Sequence, residues 1–268
     1  MAVSDESRKV PDMFDLTGRV AVVTGGARGL GRQHALALAE AGAAVALCDL
    51  LEDEGARTVG ELKAMGRRSF FGTVDVSKPD QIDRFIVDVE REVGPIDILI
   101  NNAARPSEGV ALHEVEDDVW REIIDINLSG MFYFGKRVAK CMIARGTGGS
   151  IVNIASINAF VISNIAPRHN VTYCVAKAAV AQLTRGMAAE WAPYNIRVNA
   201  IAPGYILTEQ TAATASIKEA YERNVNMTPM KRYGRTDELK GALVYLASDA
   251  STYTTGSVML VDGGYTVW

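Results

Sequence analysis

Arg19-Val-Ala-Val-Val-Thr-Gly-Gly-Ala-Arg-Gly-Leu-Gly31 decides how this chain folds. Its first half, RVAVVT, is a continuous apolar run of strand length, the pattern of a strand covered on both faces. Its second half spaces Gly25, Gly29 and Gly31 as G-x-x-x-G-x-G and leads into a helical pattern that ends near Gly42. A strand, a Gly-rich turn and a helix begin a βαβ unit. In such a turn the backbone can approach a pyrophosphate closely, and the helix N-terminus adds free N–H groups and partial positive charge. A Gly-rich turn can also exist with no ligand, so the neighbouring residues must decide.

Outward from that stretch, apolar strands keep alternating with helices. Ala44 to Asp49 reads as a second strand, followed by a polar helix from Glu52 to Met65 and a third strand from Ser69 to Val74. Lys78 to Val93 is amphipathic, with Ile82, Phe85, Ile86, Val89 and Val93 on one stripe. Ile96 to Ile100 is a buried strand, and a long helix is expected from Asp117 to Arg145. Further strands are expected at Ile151–Ala155, Ile196–Ile201 and Val258–Val261, with helices from Tyr173 to Trp191 and Thr236 to Ser248. The alternation predicts an α/β architecture: one doubly wound domain over residues 16–268, with a mostly parallel seven-stranded sheet and helices on both faces. Residues 1–15 form an N-terminal extension on this reading. In such folds ligands bind at the carboxyl ends of the strands.

Composition narrows the partners. The chain has 268 residues, 48% hydrophobic and 22% charged, enough for one α/β domain with a full core. A formal net charge of -4 gives no reason to expect nucleic acid or an anionic membrane. No apolar run reaches membrane-spanning length, and the first residues lack a signal-peptide pattern. Cys48, Cys141 and Cys174 are widely separated, without metal-ligand spacing, so a reduced cytoplasmic setting and no metal site are expected.

Asp49 gives the Gly-rich turn a ligand. It ends the second strand 18 residues after Gly31, where an acid accepts hydrogen bonds from both adenosine ribose hydroxyls and repels a 2′-phosphate. NAD is therefore favoured over NADP, although Arg28 in the loop can contact a phosphate. Leu30 and Leu50 flank these positions. Asp75-Val76, after the third strand, is either an adenine contact or a helix cap or turn.

Tyr173 and Lys177 bring a second chemistry. Four residues apart on a helix, they share a face, and an ammonium beside a phenol favours the phenolate. Such a tyrosine can exchange a proton with a substrate oxygen.

Together these residues resemble the short-chain dehydrogenase/reductase family from Leu16 onward. The Gly-rich turn, Asp49, Asp75, Asn101-Asn-Ala-Ala104, Asn127, Ser156, Tyr173-x-x-x-Lys177, Pro203-Gly204 and Val261-Asp-Gly-Gly264 stand in family order. The resemblance implies a Rossmann fold and a catalytic group of Asn127, Ser156, Tyr173 and Lys177. Tyr173 is then the general acid/base, and Ser156 stabilises the same substrate oxygen. Lys177 holds the nicotinamide ribose as well as tuning Tyr173, and Asn127 supports a proton-relay water. It also implies that Asn102 and Ala103 line the adenosine ribose, and that Pro203, Gly204, Ile206 and Thr208 enclose the nicotinamide. Relatives are usually tetramers, so a homotetramer is expected.

Two departures stand out. Ala104 replaces the commoner glycine, and Ser156 and Tyr173 lie 17 residues apart, more than is typical. The extra residues fall in 161–171, which either shape a pocket or form an inert surface loop. Substrate-facing segments are expected at 104–115, 157–172 and 205–227. Asn158, Arg168, His169 and Tyr205, with Ser156 and Tyr173, are the candidate substrate contacts. Other polar residues of these segments include Arg105, Asn164 and Glu209. That polarity suits a polyol, sugar or sugar acid. The expected activity is hydride transfer between NAD and a secondary alcohol or ketone of such a molecule. An NADP-dependent 3-oxoacyl reductase is the enzyme alternative, and a non-catalytic cofactor sensor the alternative of another class.

Overall fold

A computed structural model describes residues 8–106, 110–162 and 169–268 of the chain. A short helical turn, α1 (Val10–Met13), precedes β1 (Val20–Thr24), whose five residues are all buried. The Gly-rich turn delivers α2 (Gly29–Glu40), and β2 (Ala44–Asp49), α3 (Glu52–Ala64) and β3 (Ser69–Thr73) follow. Then come α4 (Pro79–Glu92) and β4 (Ile98–Asn101). The expected long helix is divided: α5 (Asp117–Ile124) passes through one wide π turn, Asp125–Ser129, into α6 (Gly130–Arg145). β5 (Gly149–Ile154), α7 (Val171–Trp191) and β6 (Ile196–Pro203) build the second half. It closes with α8 (Glu209–Ala215), α9 (Lys218–Met227), α10 (Lys240–Ala247) and β7 (Val258–Val261).

The seven strands form one sheet in the order β3-β2-β1-β4-β5-β6-β7, and every pairing is parallel. The expected "mostly parallel" sheet is thus wholly parallel. Alternate residues of β1 feed opposite cores. Ala21 and Val23 join the helices α2, α3 and α10, while Val20 and Val22 join α4, α6 and α7. Double coverage is why each strand reads as a continuous apolar run. The sheet order jumps from β1 to β4, so the chain reverses direction there and leaves a crevice above the carboxyl ends of both strands.

Candidate active site

A cleft of about 570 Å³ opens at that reversal. Every expected cofactor residue lies on its wall. Gly25, Arg28, Gly29, Leu30 and Gly31 come from the β1 turn, with Asp49 and Leu50 after β2 and Asp75 and Val76 after β3. Asn102 and Ala103 follow β4; Pro203, Gly204, Ile206 and Thr208 follow β6.

The turn is built for close approach. Gly25 has φ of +62°, and a Cβ there would sit 2.8 Å from the Ala103 Cα. A Cβ on Gly31 would lie 2.6 Å from the Asn102 amide nitrogen, so neither position accepts a larger residue without a shift. Asn102 ties the turn to β4, its side-chain amide donating to the carbonyls of Thr24 (2.9 Å) and Gly25 (3.0 Å). Asp49 is fixed by backbone donors: Ala27 N–H at 3.1 Å, Leu50 N–H at 2.8 Å and Leu51 N–H at 3.3 Å. A carboxylate oxygen has more than one acceptor position, so Asp49 can still receive a ligand hydroxyl. The glycine cradle, the helix N-terminus and this acid fit an adenine dinucleotide. Asp75 Oδ1 accepts from Ser77 N–H (2.9 Å) and Ser77 Oγ (2.7 Å), which forms the turn after β3 and, as at Asp49, leaves carboxylate acceptor positions over.

Ser156, Tyr173 and Lys177 line the same cleft. Ser156 hydrogen-bonds the Tyr173 phenol. It also accepts from the Asn158 N–H at 3.1 Å, which fixes the Ser156 rotamer from its own loop. Lys177 is 1% exposed, and its Nζ donates to the Ile154 carbonyl at 2.7 Å, 5.5 Å from the centroid of the Tyr173 ring. The expected acidification of Tyr173 by Lys177 is not found in the protein alone. Burial pushes the phenol up to about 12, opposed by the Ser156 hydrogen bond. Burial also pushes the Lys177 ammonium down to about 7. Both follow from one cause: a desolvated pocket disfavours phenolate and ammonium alike. Tyr173 is half-buried at the cleft wall, and water reaching it works against the rise.

Asn127 is placed differently from Ser156, Tyr173 and Lys177. It is fully buried in the π turn and absent from the cleft wall, and both ends of its amide serve Arg105. Its Oδ1 accepts the Arg105 N–H at 2.7 Å and its Nδ2 donates to the Arg105 carbonyl at 2.8 Å. The side chain therefore anchors the loop after β4.

The family profile described as enoyl-(acyl carrier protein) reductase matches residues 25–266. The galactitol 2-dehydrogenase (L-tagatose-forming) of Cereibacter sphaeroides is 38% identical over 96% of this chain and 98% of its own. The NAD-dependent glycerol dehydrogenase of Listeria innocua is 38% identical over 95% of this chain and 96% of its own. This protein belongs to the short-chain dehydrogenase/reductase family. Among solved members of that family, the gluconate 5-dehydrogenase of Burkholderia cenocepacia, in complex with NADP and tartrate, superimposes with a TM-score of 0.90. It is 38% identical and the match covers 97% of this chain and 100% of that one.

The substrate side of this short-chain dehydrogenase/reductase differs from expectation. Asn158, His169 and Tyr205 do not line the cleft, and Arg168, with Asn164, falls outside the described residues. The Tyr205 ring turns instead into an aromatic cluster, 5.5 Å from Tyr233 and 5.3 Å from Tyr265 between centroids. A sequence places Tyr205 beside Gly204 but cannot show that it faces the C-terminal turn. The Trp268 indole N–H donates to the Met227 carbonyl at 3.2 Å. Glu122 is a cleft residue that the sequence reading passed over. Its only signal was a charge on the Asn127 helix, five positions earlier.

Proposed function

We propose that this protein is an NAD-dependent dehydrogenase that interconverts a secondary alcohol and a ketone on a small polyhydroxylated substrate. The observation that carries this reading is the shared cleft: Ser156, Tyr173 and Lys177 stand on the same wall as the Gly-rich turn and Asp49. The nicotinamide, when bound, supplies the hydride chemistry. Ser156 holds the substrate oxygen and Tyr173 exchanges its proton. In the reducing direction Tyr173 is already in its protonated, donating form, because burial keeps it so. In the oxidising direction it must give up a proton, and Lys177, neutral above about 7, is the base within its pocket.

Asp49 supports NAD. Arg28 supports a second reading, NADP use, since it lines the cleft with no ion-pair partner among the described residues and the Burkholderia relative is solved with NADP. Relatives acting on galactitol, glycerol and gluconate support the polyhydroxylated substrate. Exposed Phe132 on α6 and Val175 on α7 support a homotetramer, which sedimentation would check. Among the described residues no helix is long and apolar enough to cross a membrane.

The deciding experiment titrates NADH and NADPH separately and then screens polyols, sugars and sugar acids for reduction of the tighter-binding cofactor. Cofactor binding with turnover of some secondary alcohol is expected. Tighter NADPH binding overturns the cofactor choice, and activity confined to acyl thioesters overturns the substrate class.

A further inference from the structure

Arg105 and Glu122 form an ion pair, and both line the cleft. No other ion pair among the described residues has both members on that wall. The two Asn127 hydrogen bonds clamp the Arg105 backbone, which fixes where its guanidinium starts. The side chains stay 34% and 49% exposed, and a pair so open to water contributes little to stability. What it does provide is N–H donors and carboxylate acceptors side by side. A guanidinium carries five donors and a carboxylate about four acceptor positions, so neither exhausts the other. A sugar hydroxyl both donates and accepts, so two neighbouring hydroxyls match this pair.

Charge narrows the ligand further. Glu209, which follows β6, lines the cleft without an ion-pair partner among the described residues. Arg105 is already neutralised by Glu122, and the Lys177 Nζ faces the Ile154 carbonyl. Along the whole cleft wall the acids Asp49, Asp75, Glu122 and Glu209 outnumber the bases Arg28, Arg105 and Lys177, so its excess charge is negative. A sugar acid approaching Arg105 meets a carboxylate already seated there.

We propose that Arg105 and Glu122 together grip vicinal hydroxyls, and that the Glu122 and Glu209 carboxylates turn away sugar acids, so that the substrate is a neutral polyol or its ketose. This rests on the polyol-dehydrogenase reading above and narrows it.

The test compares initial rates on galactitol and D-gluconate, at saturating NAD or NADP, for the wild type, Glu122→Gln and Glu122→Lys. The wild type is expected to have the higher kcat/KM on galactitol. Glu122→Gln should lower that value, and raise the gluconate-to-galactitol ratio, each on the order of tenfold, with Glu122→Lys raising the ratio further. Cofactor Kd, read by nicotinamide fluorescence, should stay within about twofold, because the pair is assigned to substrate. Thermal melts verify folding, and the half-exposed position makes Glu122→Gln a mild change. An unmoved ratio, a wild type that prefers gluconate, or a parallel loss of cofactor affinity overturns the grip while leaving the dehydrogenase reading intact. A wild type that binds cofactor yet turns over no polyol or sugar acid overturns that reading and this inference with it.

Discussion

On the β1–β2 flank of the cleft, polar side chains are held by the backbone itself. Asp49 takes three N–H donors, and Asn102 bonds two carbonyls of the Gly-rich turn. On the β5–β6 flank the chemistry is held by burial: Lys177 is 1% exposed with one carbonyl partner, and Tyr173 is desolvated beside Ser156. The first flank is a rigid mould for a ligand of fixed shape. The second keeps two ionisable groups in energetically unfavourable protonation environments, which is where proton transfer becomes responsive to pH. Binding and chemistry are thus separable in this molecule, and substitutions should separate them.

The sharpest separation is expected at Tyr173. Tyr173→Phe removes the exchangeable proton but keeps the ring, so turnover should fall by roughly 10²–10⁴, the range for a lost general acid/base. Cofactor affinity should barely change, because the mould on the other flank is untouched. Stopped-flow rates beside fluorescence titration measure both, and retained turnover would break the comparison.

The reverse experiment strikes the mould. Asp49→Ser removes the carboxylate at the end of β2, proposed to receive the adenosine ribose, and leaves Arg28 on the same wall. The NADP-to-NAD ratio of kcat/KM should rise on the order of a hundredfold, since a repulsion is lost and an attraction is unmasked. The pH profile should stay in place, because Lys177 sets it from the other flank. A profile that moved with the cofactor ratio would show that the two flanks are coupled.

Lys177 sharpens the comparison through stability. Its folded affinity for protons is depressed to about 7 by burial, against an unfolded value near 10.5. Between those limits the unfolded chain binds the extra proton, so this residue makes stability rise with pH from about 7 towards 10. Lys177→Met should abolish turnover, flatten that rise and melt higher than the wild type at pH 7, by a few degrees. Melting curves across pH 6–10 check the sign. The Tyr173 phenol adds the opposite slope above 10, since its folded value is raised to about 12.

How legible this was differs by flank for a physical reason. The cofactor wall is made of strand ends and glycines, and each motif position in the sequence is one backbone event, so Gly25, Asp49, Asn102 and Gly204 all arrive where their spacing put them. The alternation of apolar strands likewise exposed the sheet, because burial on both faces leaves little freedom in residue type. Asn127, Tyr205 and Glu122 were less legible. Which way each side chain faces depends on elements distant in sequence: the Arg105 loop, the Tyr233–Tyr265 cluster and the turn after β4. The effect of burial on Tyr173 and Lys177 was hidden for a related reason. The i,i+4 spacing shows that the groups are close, but only the packed structure shows that Lys177 is fully buried and Tyr173 half-buried.

His34 tests whether buried titration is confined to the catalytic flank. It lies on α2, which the Gly-rich turn opens, fully buried, with neither ring nitrogen hydrogen-bonded among the described residues. Burial holds it down to about 4, so it is neutral in the folded protein at physiological pH. The unfolded chain takes up its proton near 6.5, and stability contributed by the neutral ring is lost as pH falls from 6.5 through 4. At pH 5 the loss is about 2 kcal/mol. His34→Leu removes two unsatisfied polar atoms at similar volume, so it should stabilise by about 1–2 kcal/mol at neutral pH and flatten the acid limb. Turnover and cofactor affinity should stay near wild type. If acid melting of the leucine variant still tracked the wild type, proton uptake on unfolding would have to reside elsewhere, and the mould flank would be as passive as its backbone bonding implies.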